Sequence, residues 1–180
     1  MNTMKIQKTS RILTVCLRVI CIILLIAIAG ELAAILWLAT ASGEVVPVAL
    51  SNIISYFSLA DYAHGPKTEL MANIFVNMSR QGIMVAMFLI AGAIFKDISR
   101  EYTPFVTKHI RRLHVISILM ICLSLIPGVV EIIMIQWVRP SVKGTASFEL
   151  SYIFVAVIFF CLAQIFDYGR LLQQQSDETL

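Results

Sequence analysis

The chain has 180 residues, 59% of them apolar and 14% charged, with a mean hydropathy of +0.87 and a formal net charge of +3. Soluble domains carry about 25% charged residues, and a chain this short cannot hide so much apolar surface in a core. Composition therefore argues against a water-soluble globule and makes lipid the expected solvent; a nucleic-acid-binding surface would need a broad basic face and a reading module, and neither is present.

The first predicted element is an apolar helix over residues 12–41, longer than the roughly 20 residues that cross a bilayer. Lys5, Lys8, Arg11 and Arg18 stand before it and at its start. The same stretch resembles a signal peptide ending at Ala39, Thr40 and Ala41. Such peptides usually run 15–30 residues, and Glu31 interrupts the apolar part here, so a retained span is the preferred reading. Residues 42–69 contain Pro47, Gly65 and Pro66, but also Ile53, Ile54, Tyr56, Phe57 and Leu59. Aromatic and apolar residues together suit the headgroup layer, so a short interfacial helix is expected near residues 49–59. It would serve either as a lid or partner surface, or only as a linker lying on the membrane.

A second span is predicted over residues 70–95, with Asn73, Asn77 and Arg80 at i, i+4 and i+7 forming one polar stripe. Gly30 with Ala34, and Gly82 with Ala86, give the small-xxx-small spacing that lets helices approach closely. The connecting segment FKDISREYTPFVTKHIRRLH follows. Thr103 then Pro104 reads as a helix cap and first position, which places Lys108, Arg111 and Arg112 on one face, suited to anionic headgroups. The third span is predicted over residues 113–138. Pro127 and Gly128 lie within it, with Ser124 three residues earlier, and proline removes a backbone bond and bends a helix. The fourth span covers residues 148–166. It runs into a tail, residues 167–180, reading DYGRLLQQQSDETL.

Charge placement orients these spans. Lys5, Lys8, Arg11 and Arg18, then Lys96, Arg100, Lys108, Arg111 and Arg112, and finally Arg170, fall on one side; Lys67, Arg139 and Lys143 fall on the other. By the positive-inside rule both termini are expected in the cytoplasm. The expected fold is all-α: a single four-helix bundle integral to a membrane, with a cytoplasmic tail.

Three ionisable residues fall within the spans. An intramembrane charge costs about 2.5–3.5 kcal/mol on insertion scales. At 1.5 Å per residue, Glu31 lies about 18 Å beyond Val19, Arg80 about 22 Å beyond Phe95 and Glu131 about 27 Å beyond Leu113. All three occupy the outer half, and the planar guanidinium of Arg80 can serve two carboxylates. Glu31, Asn73, Asn77, Arg80 and Glu131 are therefore expected to cluster, with Arg80 bridging the two acids. Such a cluster either fixes helix register or forms a ligand or ion site.

Other chemistry finds little support. Cys16, Cys21, Cys122 and Cys161 lack CxxC spacing and read as apolar packing residues. His109 and His114 are five apart, not the four of a helical zinc pair, and no nucleophile elbow or phosphate loop occurs. No catalytic set, metal or cofactor is expected. The tail can continue the fourth helix into water. Leu172 and Gln175 would then either dock against residues 103–112, bringing Asp177 and Glu178 toward Lys108, Arg111 or Arg112, or fray.

The central TPFVTKHIRRL and the closing FDYGRLLQQQSDETL together resemble a family of small bacterial membrane proteins known as domain of unknown function 2975. The resemblance rests on Pro104, Phe105, Arg112, Leu113, Gly169, Leu172, Gln173, Asp177, Thr179 and Leu180, mostly in the second half of the chain. Asp177, Glu178 and Thr179 depart from the family's Asp-Leu-Thr order. The resemblance implies four spans in a bacterial inner membrane, no established activity, and a regulatory pairing with a small helix-turn-helix protein. The sequence thus points first to a non-enzymatic regulatory or interaction protein. Its contact surface would comprise Pro104, Phe105, Lys108, Arg111, Arg112, Gly169, Leu172, Gln173 and Asp177, and its partners would be the lipid bilayer and a cytoplasmic or membrane protein. A carrier using Glu31, Arg80 and Glu131 is the alternative, and an intramembrane enzyme a distant third.

Overall fold

The computed structural model describes residues 3–40, 67–101, 106–138 and 148–178. Among these residues there is no strand, and four helices account for nearly all of them: α1 Thr3–Thr40, α2 Lys67–Glu101, α3 Thr107–Val138 and α4 Ser151–Glu178. Each contains a stretch long and apolar enough to cross a membrane. Even α4, with 28 residues, rises about 42 Å at 1.5 Å per residue, against a hydrocarbon layer of about 30 Å. A helix closes its backbone hydrogen bonds within one segment, which is what an apolar segment requires where water is absent.

Each predicted span falls on one helix: 70–95 and 113–138 lie wholly within α2 and α3, 12–41 ends one residue past α1, and 148–166 begins three residues before α4; every helix also extends beyond its span at one end or both. The flanks explain the difference: Gln, Lys, Glu and Arg are good helix formers, so helical geometry persists past the apolar residues. Pro127 does not break α3, which runs through it to Val138. The start of α3 is set by the Val106 carbonyl, which accepts from the amides of His109 at 2.8 Å and Ile110 at 3.3 Å. The cap expected at Thr103 and Pro104, and the interfacial helix expected near residues 49–59, lie outside the described residues.

The chain divides into two compact units. One comprises Met1–Ile22, Met84–Ser124 and Glu149–Leu180; the other comprises Ile23–Ile83 and Leu125–Phe148. In the first unit, Met87 and Ile94 of α2 pack with Ile116 of α3, and Phe159 of α4 packs against them. Polar contacts tie neighbouring helices. The Gln7 amide donates to the Ser99 carbonyl at 3.3 Å, and the Ser10 hydroxyl donates to the Phe95 carbonyl, joining α1 to α2. The Ser124 hydroxyl donates to the Glu149 carbonyl at 3.0 Å, tying α3 to the start of α4. His114 meets Phe160 edge-on at 5.2 Å between ring centroids. In the second unit, Ala34 and Leu38 of α1 interlock with Leu70 and Ile74 of α2, flanked by Ile35, Met71 and Met78.

Two packing expectations are corrected. A Cβ built on Gly30 or Gly82 would meet nothing within 4 Å, so neither marks a close helix approach among the described residues; Gly92 does approach α1, with Leu17 Cβ 3.9 Å away. Small-xxx-small spacing supplies room but no attraction, and nothing in the motif itself says which face meets a neighbour. Of the four cysteines, all free, Cys21 is buried and Cys122 half-buried, but Cys16 and Cys161 are exposed.

Large apolar side chains face outward on every helix, among them Leu36 (68% exposed), Phe75, Trp137 (70%) and Phe154 (73%). These side chains surround small interior seams, the pattern of helices that are apolar all round. The contrast gives a stability test. Replacing buried Ile74 with alanine should destabilise toward the lower end of roughly 2–5 kcal/mol, since in detergent the cavity is felt but little is lost from transfer. Leu36→Ala should stay within about 0.5 kcal/mol. Parallel unfolding of the two variants in detergent checks the difference.

Candidate functional site

The strongest concentration of buried polarity lies in the second unit, on α1 and α2. Glu31 is 5% exposed in an otherwise apolar part of α1. Its Oε1 accepts from the side-chain amide of Asn77 and from that of Gln81, the latter at 2.8 Å. Both amides are themselves buried. They can converge because four residues of helix advance only about 40° around the axis.

Of the predicted cluster, the structure brings Glu31 and Asn77 together and adds Gln81. Asn73, Arg80 and Glu131 are half-buried on α2 and α3 in the same unit. The expected guanidinium bridge is not what meets Glu31: its hydrogen bonds come from two amides. Arg80 lies about 60° from Asn77 on the side away from Gln81, which turns it from the line the two amides share. Gln81 was legible in principle. It extends the Asn73 and Asn77 series by another four residues, but an argument built on opposite charges passes over a neutral amide.

The cluster is not saturated. Glu31 Oε2 and Gln81 Oε1 are buried without a hydrogen-bond partner among the described residues. Buried polar atoms are nearly always partnered, and an exception points to strain, function or an additional occupant.

A second polar group, in the first unit, joins the C-terminal end of α2 to the N-terminal end of α3. Asp97 Oδ2 lies 3.0 Å from Lys108 Nζ and 2.7 Å from Arg112 Nη1. Lys108 and Arg112 are four apart on one face of α3, so one carboxylate reaches both. The expected three-cation face is therefore divided: Arg112 is largely covered, whereas Lys108 and Arg111 remain exposed. The omission was Asp97, at the end of the preceding helix and on the opposite side of the connection. Pro104 and Phe105 lie outside the described residues.

The tail is helical through Glu178. Arg170 pairs with Asp167 at 3.0 Å, and Gln174 donates to Glu178 at 3.5 Å. Gly169 is half-buried, but Leu171, Leu172, Gln173 and Gln175 are exposed. Leu171 and Leu172 are uncovered on this helix, while residues 103–105, part of the surface expected to receive the tail, lie outside the described residues. The side chain of Asp177, and Thr179 and Leu180, lie outside the described residues. Among the described residues, no three of His, Cys, Asp and Glu gather as metal ligands.

Comparison with protein families, with characterised proteins and with solved structures finds no match.

The Glu31 contacts predict measurable coupling. In a double-mutant cycle of Glu31→Ala and Asn77→Ala, the interaction should exceed about 0.5 kcal/mol, as for directly bonded neighbours. Asn77→Ala alone should destabilise by about 1–3 kcal/mol, because a buried carboxylate then loses a donor. Unfolding of the four proteins in detergent reads both quantities.

Proposed function

We propose that this chain is a multi-pass protein of a bacterial inner membrane, with both ends in the cytoplasm, and a non-enzymatic regulatory or interaction component. One observation carries the functional part. Past the apolar portion of α4, the helix continues to Glu178 and leaves Leu171 and Leu172 uncovered on a formed, otherwise polar rod. An exposed apolar pair on an amphipathic helix is the material of helix-in-groove recognition. Beside it in the proposed cytoplasmic region are the exposed cations Lys108 and Arg111.

Orientation rests on the bias of cations toward the proposed inner side. The partner is a cytoplasmic or membrane protein, and the resemblance of the central loop and tail to the family of domain of unknown function 2975 favours a small helix-turn-helix regulator. Binding of that regulator would couple membrane events to transcription without this chain touching nucleic acid.

A second reading, a carrier of a cation or small molecule, is favoured by one feature: the unpartnered Glu31 Oε2 and Gln81 Oε1 within the helices. That site would exchange its occupant across the membrane.

Removing residues 171–180, Leu171 and Leu172 included, separates the readings. The interaction reading expects the truncated protein to remain at normal level in the membrane and to lose its co-purifying partner. It also expects Glu31→Gln to retain that partner. The carrier reading expects the truncated protein to transport normally and Glu31→Gln to fail. A reporter enzyme active only outside the cytoplasm, fused at the C-terminus, should be silent; activity would overturn the proposed orientation.

A further inference from the structure

The first unit holds a cleft that neither reading uses. One face of α1, carrying Lys8, Arg11, Thr14, Val15 and Arg18, stands opposite Lys96 and Ser99 of α2 around a cavity of about 590 Å³. The spacing is helical, so the cations on α1 point to the same side. Among the described residues no acid lines the cavity. None of Lys8, Arg11, Arg18 and Lys96 has an ion pair among the described residues, whereas Lys108 and Arg112 do. The walls are held by the Gln7 to Ser99 and Ser10 to Phe95 hydrogen bonds.

The cleft is adjoined by an apolar slot. Arg18 and Lys96 also line a second cavity of about 220 Å³, whose other walls are Cys21, Phe88, Leu89, Gly92 and Ala93. Glycine at position 92 removes side-chain bulk from this wall where α2 passes Leu17. Sequence places the two cavities in different surroundings. From Val19 through Gly30, and from Gln81 through Phe95, no charged residue occurs. Arg18 and Lys96 are thus the innermost cations before a charge-free stretch on each helix. They stand where headgroup phosphates give way to hydrocarbon, with the basic cleft on the headgroup side and the slot on the acyl side.

We propose that the two cavities together bind one anionic glycerophospholipid, its headgroup phosphate between Arg18 and Lys96 and one acyl chain along Phe88, Leu89 and Gly92; this rests on the membrane reading above. The charge complementarity is direct: the cleft gathers guanidinium and ammonium groups with no ion pair among the described residues, and phosphate is the anion available at that depth. Arginine can grip phosphate oxygens with two parallel hydrogen bonds, while lysine serves as a point charge. Basic pockets between membrane helices on the cytoplasmic side are suited to such headgroups. A free phosphate would use the first cavity alone and leave the slot without a role.

The test uses the full chain in detergent, with bound lipid read by native mass spectrometry after addition of phosphatidylglycerol or phosphatidylcholine. Phosphatidylglycerol should be retained preferentially. The double variant Arg18→Gln with Lys96→Gln should lose that preference by roughly thirtyfold, as expected for two cations near a charged surface. Lys108→Gln, which removes one positive charge outside the cleft, should leave it intact. Excess inorganic phosphate should not displace the lipid. Equal retention of the two lipids, an undiminished preference in the double variant, an equal loss in Lys108→Gln, or displacement by inorganic phosphate would each overturn the proposal. Membrane retention of the chain, followed in parallel, separates these failures from failure of the membrane reading: a chain that stays in the membrane but shows no selectivity loses only the site.

Discussion

The constraint on which everything else depends is the mismatch between what these helices can cover and what they present. Four helices meet through narrow seams, Met87 with Ile94 and Ile116 in one unit and Leu38 with Ile74 in the other. Around those seams stand isoleucines, leucines, phenylalanines and tryptophans with half or more of their surface uncovered. At about 25 cal/mol per Å² of apolar surface, water would penalise such an exterior heavily. Lipid would not, since acyl chains are as apolar as leucine. The length of the helices, the absence of strands among the described residues, and the sparse charge follow from the same requirement.

Once the solvent is apolar, attraction between helices must come from packing and polar contacts. The structure supplies the latter at selected places. Glu31 draws two amides of α2 to one oxygen. Ser10 and Gln7 reach backbone carbonyls of α2, and Ser124 reaches the Glu149 carbonyl just before α4. Asp97 gathers two cations of α3. Asp97 and Arg112 are mostly covered and Lys108 is exposed; the group holds the start of α3 against the end of α2. Glu31 is buried and met by amides, with an oxygen still to satisfy.

How far the sequence foretold this varies with the kind of signal. Hydropathy marks a span through the sum of many side chains, so all four were legible; most helix ends were missed because polar helix formers continue the geometry beyond the apolar run, whereas α4 starts three residues later than the apolar run itself. The polar stripe was half legible. Asn77 was placed correctly toward the interior, but the partner of Glu31 was sought among opposite charges, and Gln81 carries none. Asp97 was missed for a related reason: cations on α3 were read by their own helical spacing, whereas their orientation is set by a carboxylate on another helix. Gly30 and Gly82 show the limit of local motifs, because two small residues state that an approach is allowed and not that it occurs. The pairing of Arg18 with Lys96 around a shared cleft could not be read from either helix alone.

The measurement that tests the central claim most directly is extraction of cell membranes with alkaline carbonate, which strips peripheral proteins and leaves integral ones in the pellet. The account predicts that the full chain stays with the membranes and is released only by detergent. Release into the carbonate supernatant as a dispersed, folded protein would contradict it, because the uncovered faces around Leu36, Trp137 and Phe154 would then have to be content in water.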